Sequence, residues 1–254
     1  MSPWELAAIA LAGGAAGFIN AVAGSGTLVT FPTLLAFGVP PVTANVSNNV
    51  GLVPGAVSGA IGWRHELGGQ RSRLVRLASA SLAGGVVGAV LLLVLPESAF
   101  DAVVPVLVGL GILLVALQPL ITRRVAAAVD EQRDDPSLDA RWLWPLVALT
   151  GVYGGYFGAA QGILLMAVLG IGTHTTLHRN NALKNVLAGI VNGVAAIIFI
   201  AVADVDWTIV ALIAGGSIIG AQVGVKAGRR MPAAVMRAFI IVVGVVALAV
   251  FLLR

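Results

Sequence analysis

Two polar interruptions inside apolar helices are where this sequence can do chemistry. Gly24-Ser25-Gly26-Thr27 breaks the first apolar run, and Ala159-Ala160-Gln161-Gly162 breaks a later one. In lipid, unwound backbone is tolerated only inside protein or beside a water-filled cavity. A helix that restarts after such a break aims its unpaired N–H groups and positive dipole end at the gap, which favours an anion. Ser25 and Thr27 add hydroxyl donors to the first break and Gln161 adds an amide to the second, while Gly26 and Gly162 leave the backbone accessible. Close helix packing through small residues is the alternative use of the same glycines.

A second polar set opens the span after each break. It comprises Thr43, Asn45, Ser47, Asn48 and Asn49 in one place and Arg179, Asn180, Asn181, Lys184 and Asn185 in the other. Asn45 and Asn49 share a helical face, as do Asn181 and Asn185. Amides buried in lipid are costly unless bonded, so they line a site, bond neighbouring helices, or satisfy broken helix ends. Lys184 stands a full turn or more inside an apolar span, with Arg179 at its edge and no Asp or Glu comparably deep. A bound anion would supply the missing counter-charge; snorkelling to the interface is the alternative for Lys184. Arg179 is the preferred oxyanion ligand, because a planar guanidinium binds oxyanions in bidentate fashion. The lack of deep carboxylates argues against a sodium or metal-cation site, and no metal or cofactor is expected. His174 and His178, just before this span, suit either a proton relay near neutral pH or an ordinary interfacial position.

The elements that must position these residues are transmembrane helices. The chain has 254 residues, 59% hydrophobic and 10% charged, with mean hydropathy +1.00. Soluble domains carry about 25% charged residues, so a soluble enzyme, a nucleic-acid-binding module and a disordered chain are all excluded. The basic pI of 10.3 reflects short loops between apolar spans rather than a nucleic-acid surface. There is no cysteine, hence no disulfide framework and no thiolate site. The first Lys or Arg is Arg64, so the N-terminal run lacks the basic start of a cleavable signal and reads as a retained helix. Apolar runs cover 4–23, 28–37, 42–63, 74–95 and 98–121, then 142–157, 163–171, 180–202, 207–225 and 233–253. No phosphate loop or HExxH motif is present. A hydrolase built on Ser25 and His174 explains the glycines less well than a repeat does, so the chain is not expected to be an enzyme.

The order of elements repeats: helix, glycine break, short helix, three full spans. At an offset of 136, Gly26 meets Gly162, Leu28 meets Leu164, Asn45 meets Asn181, Asn49 meets Asn185, and Pro96 meets Pro232; at 132, Gly84 and Gly88 meet Gly216 and Gly220. Repeated halves are a hallmark of secondary transporters. The loops holding Arg64, Arg71, Arg73 and Arg76, then Arg123, Arg124, Arg133 and Arg141, then Lys226, Arg229, Arg230 and Arg237 are basic. Those holding Glu97 and Asp101, then Asp204 and Asp206, are acidic. Basic loops collect in the cytoplasm. Equivalent loops thus face opposite sides, and the repeats are expected to be inverted, with both termini outside. The broken pair counts as zero or two crossings, and parity does not separate a re-entrant hairpin from two spans.

These features together resemble the TauE/SafE family: the early glycine break, the proline-ended short helix, Thr43-Ala44-Asn45-Val46-Ser47-Asn48-Asn49, and the second copy Arg179-Asn180-Asn181-Ala182-Leu183-Lys184-Asn185. The resemblance covers nearly the whole chain. It implies a permease, usually described as an exporter, for sulfite, sulfoacetate or related organosulfonates, often with proton coupling. The expected architecture is an all-α polytopic protein of the cell membrane. Residues 1–122 form one inverted repeat, 123–141 a cytoplasmic linker, and 142–254 the other. The expected substrate is a small anion held mid-membrane by Ser25, Gly26, Thr27, Asn45, Asn48, Asn49, Gln161, Gly162, Arg179, Asn181, Lys184 and Asn185. Another small anion or neutral solute on the same build is the alternative. Apolar helix faces suit lipid or a second copy in a homodimer equally.

Overall fold

The computed structural model describes residues 1–128, 137, 139–227, 238–243, 245–246 and 248, with side chains through residue 124 in the first stretch. The helices are α1 (Pro3–Val22), α2 (Thr27–Ala36), α3 (Pro41–Gly62), α4 (Arg71–Val94), α5 (Glu97–Ala128), α6 (Leu143–Tyr156), α7 (Gln161–Gly172), α8 (Leu177–Val202) and α9 (Trp207–Ala227), with a 3-10 turn at Arg64–Leu67. Residues 238–243 are again helical, within the span expected at 233–253. Asp130, Glu131, Arg133, Asp134, Asp135, Arg229, Arg230, Pro232 and Arg237 lie outside the described residues.

Several edges differ from the sequence expectation. The second break falls at 157–160, so Gln161 and Gly162 are the first turn of α7 rather than part of the gap. α8 starts earlier than residue 180 because Thr176 caps it, its hydroxyl accepting the Arg179 N–H at 3.3 Å, and Arg179 is therefore helical. Arg71, Arg73 and Arg76 belong to the first turns of α4, not to a loop. α5 runs past residue 121 to Ala128, into the stretch read as linker; Arg123, Arg124 and three alanines are good helix formers with no glycine or proline to stop them.

Among the described residues, five helices are long and apolar enough to cross a membrane: α1, α4, α5, α8 and α9. The chain is a polytopic helical membrane protein, with apolar side chains such as Val87, Val94, Ile197 and Ile219 exposed where a bilayer would cover them. α3 has the length, at 22 residues, but its asparagines lower its hydropathy. It compensates by position, since every residue from Ala44 to Leu52 is buried. The short helices behave differently. α2, α6 and α7 have 10, 14 and 12 residues, or roughly 15–21 Å at 1.5 Å per residue, short of the ~30 Å hydrocarbon core. Each pair also returns to where it began. The Ala140 N–H donates to Gly172 O at 2.9 Å, closing α6 against the end of α7. Trp4 and Phe37 meet edge-to-face at 5.0 Å, closing α1 against the end of α2.

The packing pattern maps onto itself when the halves are exchanged. α1 lies along α9 as α6 lies along α4; α3 packs on α9 as α8 packs on α4; and α3 packs on α8. The matched glycines do matched work. Gly84 and Gly88 sit against the backbone of α6, and Gly216 and Gly220 against the backbone of α1, where a Cβ would collide with main-chain atoms.

Candidate anion site at the hairpin tips

Both breaks are tight turns made by glycine. Gly24 (φ 83°) and Gly158 (φ 78°) occupy the left-handed region, where side chains are disfavoured. Their N–H groups reach back to Ile19 O at 2.9 Å and Tyr153 O at 3.0 Å. Locally, then, Gly24 corresponds to Gly158 and Thr27 to Gln161, two residues out of register with the offset of 136. The Tyr153 hydroxyl donates to Ala159 O and braces the second turn.

The two tips touch. The Gly162 N–H donates to Gly24 O at 3.0 Å, and a Cβ on either glycine would strike the other's Cα. The paired asparagines then cross between the halves. Asn45 Nδ2 donates to Tyr156 O at 2.9 Å, at the end of α6. Asn181 and Asn185 Nδ2 donate to Ala21 O, in the last turn of α1, at 3.4 and 3.3 Å. Each broken helix thus has an orphan carbonyl satisfied by an amide from the other half, the helix-end use foreseen for these residues.

A cavity of about 30 Å³ lies at this junction, bordered by Asn20, Gly24, Thr27, Gln161, Gly162, Lys184, Asn185 and Asn192 together with small residues such as Gly55 and Ala56. No carboxylate borders it. About 10–15 Å³ suffices for one water, so the space takes two or three waters or one compact ion. Lys184 is 1% exposed, and its Nζ donates to Asn20 O at 3.0 Å. Gln161 is 3% exposed, and its Nε2 has no hydrogen-bond partner. Its side chain folds over Gly154, in the space a Cβ there would fill.

Of the residues expected from sequence, Thr27, Gln161, Gly162, Lys184 and Asn185 border the cavity. Ser25 and Gly26 lie in the adjoining turn, both buried. Asn49 reaches the cavity wall indirectly, its Nδ2 facing Asn192 Oδ1 at 3.5 Å. Asn45 and Asn181 serve helix ends, and Asn48 is buried elsewhere in α3. Arg179 is not brought to the cavity: its guanidinium donates to Gly68 O at 2.5 Å, in the turn after α3. His174 and His178 do not border it either; His178 is exposed and stacks on Trp63 at 6.2 Å. A second buried cation lies in the first turn of α4. Arg73 is 1% exposed, and its guanidinium meets Asp139 in two bonds of 2.8 Å. Sequence reasoning missed Asn20, Asn192, Gly154 and Gly158. The two asparagines carried the signal used for Asn45, an amide inside an apolar helix. They went unnoticed because their counterparts at the offset of 136, Tyr156 and Ala56, are not asparagines.

A bundle of apolar helices with broken helix pairs meeting at a buried polar cavity defines a polytopic protein of the membrane-transporter class. The chain belongs to the TauE/SafE family: the pattern described as sulfite exporter TauE/SafE matches residues 9–251. It is similar to a probable membrane transporter protein, ORF9, of a Sinorhizobium species, with 27% identity over 244 residues covering 94% of this chain and 88% of that one. It is similar to a probable membrane transporter protein of Haemophilus influenzae, 27% identical over 227 residues, covering 87% and 84%. The probable membrane transporter protein YfcA of Escherichia coli K12 is 26% identical over 249 residues, covering 97% and 89%. No solved structure matches. The chain is a multi-pass membrane transporter and not an enzyme.

Proposed function

We propose that this transporter is a secondary exporter of small sulfur-containing anions, sulfite foremost, working by alternating access around the cavity at the hairpin tips. One observation carries the reading: a cavity with no carboxylate on its wall holds a buried lysine and a buried, unbonded amide N–H₂. Buried donors without partners are costly, and an oxyanion supplies the missing acceptors and the counter-charge to Lys184 together. The volume favours sulfite over longer sulfonates. The family description names sulfite, in agreement with the chemistry.

The ligands on this reading are Lys184, Gln161, Thr27, Asn185 and the N-terminal amides of α2. Arg179 and the two histidines, away from the cavity, are left out of the ligand set. The exchange pattern of the helices supports two repeats, 1–122 and 142–254, and tip-to-tip contact of the hairpins supports their entry from opposite membrane faces. Rocking of one part against the other then opens the site to each side in turn.

The test is uptake of radiolabelled sulfite by the purified protein in liposomes, under two opposed pH gradients, beside Lys184→Ala. Saturable uptake in the wild type and loss in the variant are expected, with the folded fraction checked by size-exclusion chromatography. A response to the gradient would identify proton coupling. Competition by sulfoacetate, taurine, acetate and sulfate ranks the substrates. No uptake or competition by any sulfur anion would remove the sulfur reading.

A further inference from the structure

Asn20 stands at the site without having been expected there. It lies in the last turn of α1 and borders the cavity. Its side-chain oxygen accepts the Gly26 N–H at 2.7 Å, and its main-chain oxygen accepts Lys184 Nζ at 3.0 Å. The Gly26 N–H stands directly ahead of α2, among the donors a helix N-terminus offers an anion. A side-chain amide oxygen is the neutral ligand such groups take in the absence of an anion, as at helix caps. One residue therefore covers two of the anion-seeking groups, whereas Gln161 Nε2 and Ser25 Oγ are buried with no hydrogen-bond partner.

We infer that Asn20 is the resident occupant of the anion site, displaced when substrate enters. The inference rests on the anion reading of the cavity. The entering oxyanion takes the Gly26 N–H from the Asn20 side chain and the Lys184 ammonium from the Asn20 carbonyl. The exchange has a mechanical consequence. α8 grips the end of α1 through two successive carbonyls, Asn20 O held by Lys184 and Ala21 O held by Asn181 and Asn185. Loading moves Lys184 off the first and loosens α1 from α8; release restores the grip. A ligand shifts a conformational equilibrium only through contacts that differ between the two states, and this exchange supplies such a difference.

The test is calorimetric titration of sulfite into the detergent-solubilised wild type, Asn20→Asp and Asn20→Ala. Asp and Asn are equivalent as ligands of a helix N-terminus, so Asn20→Asp keeps the turn. Its fixed charge cannot be displaced by a like charge, and sulfite affinity is expected to fall by on the order of a hundred-fold. Asn20→Ala removes the competitor, and affinity is expected to rise about five-fold, the worth of one neutral hydrogen bond. A purely structural turn residue behaves in the opposite way in the alanine variant: Asn20→Ala binds more weakly and unfolds earlier. Wild-type affinity in Asn20→Asp overturns the inference even if Asn20→Ala fails to fold. Absence of binding by the folded wild type overturns the anion reading and this inference with it, whereas binding by wild type and Asn20→Asp alike overturns the inference alone.

Discussion

Gln161 separates a ligand from a structural residue more cleanly than any other side chain at the site. Its Nε2 is buried with no protein partner, so removing it costs the fold nothing that it now holds. Gln161→Leu is expected to weaken sulfite binding about ten-fold or more, the loss of one hydrogen bond to a charged group, while the unfolding temperature holds or rises. A structural role would instead lower the unfolding temperature. Gly154 supplies the companion change. The nearest atoms a Cβ there would meet are those of the Gln161 amide, the far end of a flexible side chain. Gly154→Ala is therefore expected to move the amide and reproduce the binding loss of Gln161→Leu with little change in stability. Titration and thermal unfolding on the same preparations check both. Gln161 was legible in the sequence as a donor beside a glycine; Gly154, a glycine inside a helix among 32 in the chain, was not.

Helices and breaks were legible because composition in lipid leaves few choices. Apolar runs of the right length become helices, and a glycine-polar cluster inside one becomes a turn. Register was less legible. The match of Gly26 with Gly162 placed the second break too late, because the turn is made by Gly158 and the chain reaches α7 by Ala160 in a left-handed conformation (φ 61°) that alanine rarely adopts. Arg179 was misplaced for a related reason: spacing set it beside Lys184, but the Thr176 cap and the Gly68 carbonyl hold it toward the turn after α3. The buried Arg73–Asp139 pair was invisible, since it joins residues 66 positions apart that both read as loop. It ties the start of α4 to the entry of α6, with Arg76 adding a third bond at 2.7 Å. Breaking one side of a buried pair costs about 3–5 kcal/mol, whereas replacing both members by apolar residues is often close to neutral. Arg73→Met or Asp139→Leu alone is thus expected to destabilise by about that amount, and the two together by much less. Thermal unfolding of both singles and the double gives the cycle; a loss in the double equal to the sum of the two singles would show that the pair does not act as a unit.

For the whole molecule, the proposed inversion makes a claim about sides. Hairpins that touch at their tips and return to their own starting ends enter from opposite faces of the bilayer if the loop charges follow the positive-inside preference. The basic 3-10 turn at Arg64 and the end of α5 at Arg123 then lie in the cytoplasm, and the start of α5 at Ser98 and the turn at Asp204 lie outside. All four residues are exposed, and the chain contains no cysteine, so single substitutions report without background. In intact cells, a membrane-impermeant maleimide is expected to label Ser98→Cys and Asp204→Cys but not Arg64→Cys or Arg123→Cys until the membrane is opened. Ser98 stands beside Pro96, and the equivalent Pro232 follows the basic residues Arg229 and Arg230. Labelling of Ser98→Cys from outside therefore sets equivalent turns of the two repeats on opposite faces, given a cytoplasmic Lys226→Cys. Labelling of both from one side would leave the repeats parallel and would remove the geometry by which two broken helices from opposite faces meet on one anion.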